Sequence, residues 1–352
     1  MMEPKTVLVV TSIASPNVAL KELARGCRQH GVEFFVIGDE SSPRQFELEG
    51  CRFYDLKEQI ELGFAFARQC PARSYARKNI GYLLAMRTGA AVLIETDDDN
   101  FPRAEFWAQR HRKQLARLIS DTGWVNIYRY FTDAKIWPRG LSLESINSLG
   151  PNYDALVPKE VDCPIQQGLT DEDPDVDAIY RLAFPLPQSF RKDRRIALGN
   201  NSWSPFNSQN TTWWSDAFPL LYLPAYCSIR LTDIWRGFVA QRIAWTNNWG
   251  VLFHGPTVRH DRNKHDLLRD FQEEVPGYLN NKEICAALGD LTLQPGLDNL
   301  NDNLRLCYSE LVRMNMIGDA ELDLLEAWIA DIAQITPRTN SKAQTNSHDA
   351  PR

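Results

Sequence analysis

The sequence has 352 residues, a length that allows one large α/β domain or two smaller ones. Its net charge of −6 argues against a nucleic-acid-binding protein, and the local basic cluster at 191–195 is more typical of a solvated face or of a site for one anionic ligand. Seven scattered cysteines, none in a CxxC pair, favour a reducing compartment, so we expect a cytoplasmic protein, with peripheral membrane contact left open. No stretch approaches the roughly 18–20 apolar residues of a membrane span, so we expect no transmembrane segment.

The first elements predict the opening of a parallel α/β sheet. Residues 6–12 form an apolar run of the kind found in strands buried on both faces. A helix is predicted to follow and to end at Gly31, and further strands are predicted at 32–39 and 50–56. Because no GxGxxG follows the first strand, the fingerprint of a dinucleotide-binding fold is absent.

An acidic triplet follows the next predicted strand. A helix is predicted at 74–89 and a strand at 90–99, which ends in Asp97, Asp98 and Asp99. Ligands of open α/β sheets bind beyond the carboxyl ends of strands, and crowded carboxylates need a compensating charge. Since Mg²⁺ prefers one or two carboxylates together with substrate phosphates, the triplet predicts a metal–diphosphate site. The alternative is an acidic turn after a buried strand.

The remainder of the chain changes character twice. A helix is predicted at 102–120 and a strand at 123–131, and residues 137–177 are predicted to be irregular. Later predictions are a helix at 233–250, a strand at 251–260, and helices at 264–274, 281–289, 297–315 and 319–335. The polar tail, residues 336–352, is predicted to be disordered.

Four segments carry a resemblance to known proteins. Residues 77–100, RKNIGYLLAMRTGAAVLIETDDDN, look like the nucleotide-sugar half of a GT-A glycosyltransferase. With residues 126–144, 205–224 and 230–245, they resemble the STELLO family of glycosyltransferases. That family is distantly similar to the reversibly glycosylated polypeptides, which act as UDP-arabinopyranose mutases.

The resemblance implies a fold and a division of the chain. It implies an α/β GT-A fold over residues 1–262, with a mixed, mostly parallel sheet flanked by helices. Residues 1–130 would form the nucleotide-sugar half and residues 131–262 the acceptor half. A helical C-terminal region would follow at 263–335, before the tail.

The resemblance also implies donor-side roles. Asp97 and Asp99 match the outer members of the DxD motif that holds Mn²⁺ or Mg²⁺, with Asp98 between them beside the nucleotide. Arg77 and Asn79 match the nucleotide-binding motif before the triplet. For these two residues, the alternative is an ordinary amphipathic helix.

Arg139 has two interpretations. In the segment WPRG it aligns with the arginine to which the sugar becomes reversibly attached in the mutases. Leu141 and Ser142 stand where the mutase motif has Tyr and Pro. A structural or phosphate-pairing arginine is the alternative.

The helix predicted at 233–250 supplies the acceptor-side candidates. Asp233 is predicted to be the general base that takes the acceptor proton, with a helix N-cap as its alternative. Trp235 would wall the sugar site or pack in the core, and Arg236 would pair with the diphosphate or with the neighbours of Asp233. His260 is predicted to complete the metal shell, with Asp261 or a purely structural histidine as alternatives.

Together these features predict a metal-dependent glycosyltransferase. It would move a sugar from a nucleoside-diphosphate sugar, UDP- or GDP-linked, to a hydroxyl of a glycan or small-molecule acceptor. One alternative is a nucleotide-sugar mutase with transient glycosylation of Arg139, and another is a catalytically inactive assembly partner. The helical C-terminal region could pack a second copy in a homo-oligomer.

Overall fold

A mixed β-sheet forms the centre of the computed structural model, which describes residues 4–262 and 266–335. The strands in chain order are β1 (Thr6–Thr11), β2 (Glu33–Ile37), β3 (Arg52–Tyr54), β4 (Val92–Thr96), β5 (Asn100–Pro102), β6 (Lys113–Ile119), β7 (Gly123–Trp124), β8 (Pro158–Asp162), β9 (Ile165–Asp171), β10 (Arg195–Leu198), β11 (Ser202–Trp203), β12 (Asn210–Trp214) and β13 (Val251–His260).

Helices flank this sheet and then continue alone towards the C-terminus. In chain order they are α1 (Val18–His30), α2 (Leu56–Glu61), α3 (Ala65–Gln69), α4 (Lys78–Arg87), α5 (Ala178–Ala183), α6 (Thr232–Thr246), α7 (Leu267–Asp290), α8 (Leu300–Arg313) and α9 (Glu321–Ile335). The predicted α/β class, with a mixed sheet, flanking helices and a helical C-terminal region, is confirmed.

The strand order places the N-terminal strands on one side of the sheet. The order is β3-β2-β1-β4-β12-β9-β13-β10-β6-β8, with β5 paired to β13 and a separate β7–β11 pair. Strands β3, β2, β1 and β4 are parallel to their neighbours in this group, and β12 joins β4 antiparallel. The carboxyl ends of β1 and β4 therefore meet at the same edge of the sheet.

Local signals explain the elements that were predicted correctly. Helix α1 begins where the Asn17 side chain accepts from the Leu20 backbone N–H (2.9 Å), and it ends at Gly31. Gly31 adopts a φ of 64°, a conformation that glycine takes without the steric cost of a Cβ. Helix α4 follows a 3₁₀ turn at Tyr75–Arg77, within the predicted helix at 74–89.

Three predicted elements are wrong. The helix predicted at 102–120 contains a 3₁₀ turn and then β6, which pairs with β10 and β8 near one side of the sheet. The strand predicted at 123–131 is mostly a 3₁₀ turn at Ile127–Tyr130. The segment predicted to be irregular contains β8 and β9, and β9 is buried along its whole length. Its sequence IQQGLTD has no apolar run. The buried glutamines are tolerated because they form hydrogen bonds; Gln167, for example, accepts from the Asn207 N–H (3.0 Å).

The C-terminal helices differ from prediction at one point. The helices predicted at 264–274 and 281–289 form the single helix α7, which contains Pro276. The helices predicted at 297–315 and 319–335 are confirmed as α8 and α9. Residues 336–352, which are predicted to be disordered, lie outside the described residues. Residues 263–265, which include the start of the helix predicted at 264–274, also lie outside them.

Buried carboxylates attach the C-terminal helices to the earlier part of the chain. Each accepts hydrogen bonds of 2.8–2.9 Å from backbone N–H groups: Glu274 from Ala178, Glu321 from Ala225 and Tyr226, and Asp331 from Ala65 and Phe66. Such groups are costly to bury without a partner, so these contacts fix where the helices pack. Among the described residues, we find no helix whose length and apolar character would let it span a bilayer.

Candidate active site

The acidic triplet lies at the sheet edge where β1 and β4 end. Asp97, Asp98 and Asp99 directly follow β4. Residues beyond β1 reach the triplet, since the Ser12 hydroxyl donates to Asp98 Oδ2 (2.5 Å) and the Asn17 amide donates to the Asp98 carbonyl (2.8 Å). The triplet is thus held by two neighbouring parallel strands at the edge where α/β proteins bind ligands.

A buried lysine, which sequence reasoning missed, neutralises part of this charge. The side chain of Lys78 is fully buried, and its Nζ lies 3.0 Å from Asp97 Oδ1. The same ammonium donates to the Thr96 carbonyl (2.8 Å) and the Tyr75 hydroxyl (2.8 Å). Burial raises the pKa of Asp97, and the charge of Lys78 opposes that rise. Lys78 lies between Arg77 and Asn79, the two residues predicted to bind the nucleotide. The sequence does not show which side chain of this segment contacts the triplet.

The pKa values of Asp98 and Asp99 are shifted in opposite directions. Burial raises the pKa of Asp98 to about 6, although the hydrogen bond from Ser12 opposes the shift. Burial would also raise the pKa of Asp99, but the hydrogen bond and charge of His260 outweigh it and the pKa is lowered. His260 Nε2 lies 3.1 Å from Asp99 Oδ2. We call Asp97, Asp98, Asp99, Lys78 and His260 the β4 cluster.

His260 is held at both ring nitrogens. Its Nδ1 lies 2.8 Å from the Asp173 carbonyl, and because a carbonyl can only accept, Nδ1 carries a proton there. Burial would lower the pKa of His260, but its Nε2 donates to Asp99, which outweighs burial and raises that pKa. The Nδ1 contact is the orienting contact that metal-binding histidines commonly make, and a metal ion would have to displace the Nε2 proton to bind His260.

The β4 cluster fits an ion that shares its ligands with a substrate. Within residues 4–262 and 266–335, no three His, Cys, Asp or Glu side chains are grouped closely enough to hold a metal ion by themselves. Asp99 and His260 are suitable ligands for Mn²⁺ or Mg²⁺, and Asp97 can add the oxygen that does not face Lys78. Phosphate oxygens and water would complete such a shell.

A second polar cluster lies at the start of α6. The Arg139 guanidinium donates to both oxygens of Asp175 (2.7 and 2.8 Å) and to both oxygens of Asp233 (3.2 and 3.1 Å). It also donates to the Arg230 carbonyl. We call Arg139, Asp175 and Asp233 the α6 cluster, and all three side chains are largely buried.

Mutual pairing sets the ionisation of the α6 cluster. Burial would lower the pKa of Arg139, but the charges of Asp175 and Asp233 outweigh it and raise the pKa well above its usual value. Burial would raise the pKa of Asp175, but Arg139 outweighs it and lowers that pKa. The ion pair between Arg139 and Asp175 therefore stabilises the charged forms of both groups.

Two hydroxyls connect the clusters. The Tyr75 hydroxyl donates to Asp97 Oδ1 (2.9 Å) and lies 2.6 Å from Ser208 Oγ. The backbone N–H and the hydroxyl of Ser208 donate to Asp233 Oδ2 at 3.3 and 3.4 Å. Asp97 and Asp233, predicted from segments far apart in the sequence, therefore belong to one hydrogen-bonded network. Tyr75, Ser208 and Asp175 were not predicted, because nothing local distinguishes them.

Arg77 and Asn79 do not contact the β4 cluster. Arg77 is buried and donates to the Gln59 side chain (2.8 Å) and the Cys70 carbonyl (2.9 Å). The Asn79 amide exchanges two hydrogen bonds with the backbone of Leu223 (2.8 and 2.9 Å). Both side chains use their polar groups inside the fold, as an ordinary helix–core contact does.

Trp235 and Arg236 also lie in the interior. The Trp235 indole donates to Asn281 of α7 (2.9 Å). Arg236 pairs with Glu95 of β4 (2.9 Å), and both side chains are almost fully buried. Arg236 therefore ties α6 to β4 one turn away from Asp233, and its guanidinium faces protein partners.

The chain has an α/β fold with a cluster of charged side chains at the carboxyl ends of two neighbouring parallel strands, where ligands of open α/β sheets commonly bind. The chain is similar to the STELLO glycosyltransferases, whose family profile matches residues 230–350. It is 31% identical over 277 residues to "Probable glycosyltransferase STELLO2" and 29% identical over 278 residues to "Probable glycosyltransferase STELLO1", both from Arabidopsis thaliana. These matches confirm the resemblance predicted from the sequence.

Coverage differs between the chain and its relatives. Each alignment covers 72% of this chain but 36% of STELLO2 and 35% of STELLO1, so the chain spans about a third of the length of the curated relatives it matches. Among solved structures, glucosyl-3-phosphoglycerate synthase from Mycobacterium tuberculosis, in complex with phosphoglyceric acid, gives a TM-score of 0.42 at 8% identity, covering 80% of this chain and 81% of that chain. A second crystal structure of that enzyme gives 0.40 at 9% identity, with the same coverage.

Proposed function

We propose that the chain is a metal-dependent glycosyltransferase of GT-A fold, which moves a sugar from a nucleoside-diphosphate sugar to an acceptor hydroxyl. The observation that carries this proposal is the network that joins the β4 cluster to Asp233. In this network, Asp97 of the candidate diphosphate site and the candidate base Asp233 are linked through Tyr75 and Ser208. The names of the Arabidopsis relatives support the same reaction class.

In this proposal the β4 cluster binds the donor. A bound Mn²⁺ or Mg²⁺ would neutralise the negative charge that develops on the departing diphosphate. Asp99 and His260 would hold that ion, and Asp98 would face the nucleotide. Lys78 keeps Asp97 Oδ1 fixed, so that Asp97 can present only its other oxygen to a ligand.

Asp233 is the proposed general base. Its carboxylate already accepts from Arg139 and Ser208, and the contacts with Ser208 are the longest of these. An acceptor hydroxyl that replaced the Ser208 hydroxyl would lie within reach of Asp233 Oδ2 for proton transfer. Arg139 would then orient the base and stabilise its negative charge.

The contacts of Arg139 disfavour the mutase alternative. A nucleophilic arginine must lose a proton, yet the surrounding carboxylates raise its pKa. Every guanidinium nitrogen of Arg139 donates to a carboxylate. The inactive-partner alternative is disfavoured because Asp97 and Asp99 are both present at the strand end. A cytoplasmic location and a homo-oligomer stay predictions.

The proposal is tested by a thermal-shift panel of UDP, GDP and their common sugar conjugates, each with and without Mn²⁺. We expect at least one nucleoside diphosphate to raise Tm in a Mn²⁺-dependent way, because a ligand that binds the folded state stabilises it. If no member of the panel does so, the donor-binding proposal is overturned.

Intact mass spectrometry distinguishes transferase from mutase. The chain is incubated with each stabilising nucleotide sugar and Mn²⁺, without an acceptor. A transferase is expected to keep its mass, whereas a mutase that uses Arg139 gains one sugar, and the gain disappears in Arg139→Lys.

A further inference from the structure

One buried asparagine of α7 contacts both segments that carry the Arg139–Asp233 ion pair. The Asn281 amide donates to the Gly140 carbonyl (2.8 Å) and accepts from the Trp235 indole (2.9 Å). Gly140 directly follows Arg139, and Trp235 lies two residues beyond Asp233 in α6. A single side chain, 2% exposed, therefore fixes the separation of the two segments.

A second buried side chain of α7, that of Glu274, binds two further segments that lie next to the α6 cluster. Glu274 lies two helical turns before Asn281, on the same side of α7. It accepts from the Arg230 guanidinium (2.6 and 2.9 Å) and from the Ala178 N–H (2.8 Å). The Arg230 carbonyl accepts from Arg139, so Glu274 anchors a residue that itself contacts the cluster.

Two glycines allow this close approach. A Cβ on Gly277 of α7 would lie 2.6 Å from Leu231, and one on Gly140 would lie 2.5 Å from Ile234. Both distances are shorter than van der Waals contact, so α7, the segment around Gly140 and the start of α6 pack without room for a side chain at these points.

We propose that Asn281 and Glu274 are positioning residues for the acceptor side of the transfer reaction. They set the geometry of the α6 cluster without touching substrate, so the C-terminal helical region takes part in catalysis. This inference rests on the proposed function. It distinguishes α7 from α8 and α9, whose buried polar side chains contact segments outside the α6 cluster.

The chain offers a matched control for Asn281. Asn303 of α8 is 1% exposed, and its amide exchanges two hydrogen bonds with the backbone of Gln294 (3.0 and 2.8 Å). Asn281→Leu and Asn303→Leu therefore remove the same kind of buried side chain and two hydrogen bonds each, although the partners of Asn303 belong to the exposed residue Gln294. We expect both to lower Tm.

The test compares these two variants in the full chain by three measurements. The first is the Mn²⁺-dependent Tm shift with UDP or GDP, and the second is the steady-state release of nucleotide from the sugar conjugate that the panel selects. The third is backbone hydrogen exchange. For Asn281→Leu we expect kcat to fall at least about tenfold with the donor KM within about twofold, because small displacements of reacting groups are costly. Exchange should rise in residues 137–142 and 230–236, and Asn303→Leu should show neither effect.

The outcomes separate this inference from the proposed function. If wild type responds to nucleotide but Asn281→Leu matches Asn303→Leu in kcat and in exchange, the positioning role is overturned. If wild type does not respond, the proposed function fails, and exchange alone decides whether Asn281 holds the two segments. A second comparison pairs Glu274→Gln with the control Glu321→Gln, since both glutamates are buried. Glu274→Gln must lower kcat and raise hydrogen exchange more than Glu321→Gln does.

Discussion

The β4 cluster and the α6 cluster each crowd aspartates together, and they balance the charge in different ways. In the α6 cluster, one arginine pairs with two carboxylates, and the pKa of Asp175 is lowered. In the β4 cluster, Lys78 and His260 face three aspartates, and burial raises the pKa of Asp97 and Asp98. In the first cluster a direct ion pair stabilises the charged carboxylate of Asp175, whereas in the second cluster burial destabilises the charged carboxylates of Asp97 and Asp98.

This contrast separates two tasks. A cluster held by direct ion pairs keeps its geometry, which suits a group that must orient a base. A cluster whose charged carboxylates are destabilised by burial gains from an added cation, which suits a site that binds a metal ion together with a phosphorylated ligand. The following predictions test the contrast, starting from the largest expected effect.

Removal of Arg139 should destabilise the protein most. Arg139→Met leaves Asp175 and Asp233 buried without their counter-charge, which typically costs about 3–5 kcal/mol. Urea denaturation at pH 7 measures the free energy of unfolding. Arg305, which bridges Asp302 and Glu326 on the surface, is the matched control, and Arg305→Met should cost less than about 1 kcal/mol. Similar losses in both variants would contradict the conclusion that Arg139 compensates the buried charges of Asp175 and Asp233.

Removal of Asp99 should leave the fold intact and abolish metal-dependent binding. We expect Asp99→Ala to weaken Mn²⁺-dependent nucleotide affinity at least about 100-fold, since even residues behind a metal ligand can matter that much. Isothermal titration with UDP and Mn²⁺ measures this change. Asp133→Ala, at an aspartate whose side chain is 88% exposed, should bind like wild type. An Asp99→Ala protein that keeps its metal response would place the metal elsewhere.

Lys78 tests whether the β4 cluster depends on its internal cation. Lys78→Met removes the counter-charge of Asp97 and the ammonium that donates to two buried backbone carbonyls, so we expect the free energy of unfolding to fall by about 2–3 kcal/mol. Chemical denaturation with EDTA present isolates this effect from metal binding. The control is Lys282→Met, whose exposed ammonium pairs with Glu144 and whose loss should be undetectable. Equal curves for both variants would mean that Lys78 is dispensable.

The smallest expected effect is a pH dependence of the free energy of unfolding that arises from Asp177, which lies near the α6 cluster. Burial raises its pKa to about 6, although it caps α5 and accepts from the Trp137 indole (2.6 Å). A raised pKa in the folded state contributes stability that is present in acid and lost as the pH rises through about 6. Wild type should therefore lose about 1–2 kcal/mol relative to Asp177→Asn between pH 5 and pH 8.

Denaturation of both proteins at the two pH values measures this difference. Asp266→Asn serves as the control, because Asp266 caps α7 from an exposed position and should show no such pH-dependent difference. A pH-independent gap between wild type and Asp177→Asn would contradict the raised pKa.

Sequence reasoning succeeded where the signal was local. Apolar runs predicted the parallel strands β1, β2 and β4, and the position of the triplet followed from the end of β4. It failed where polar residues are satisfied at a distance. Strand β9 looks irregular because its glutamines find partners that lie elsewhere in the chain.

The same limit applies to the candidate site. Arg139 meets Asp175 across 36 residues and Asp233 across 94 residues, and neither separation leaves a local trace. Arg77 and Lys78 are adjacent basic residues, and their environments differ only after the helix has docked. Pairings of this kind become visible only when the sheet order is known.

The capping of α3 by Asp331 has a consequence for biosynthesis. Asp331 accepts from the backbone N–H groups of Ala65 and Phe66, and 266 residues separate it from Ala65. At roughly 5–20 residues per second, a ribosome needs on the order of 10–50 s to add that length of chain. The start of α3 must therefore wait for its partner during translation. A nascent chain stalled before residue 331 should consequently be more sensitive to protease near residue 65 than the released protein.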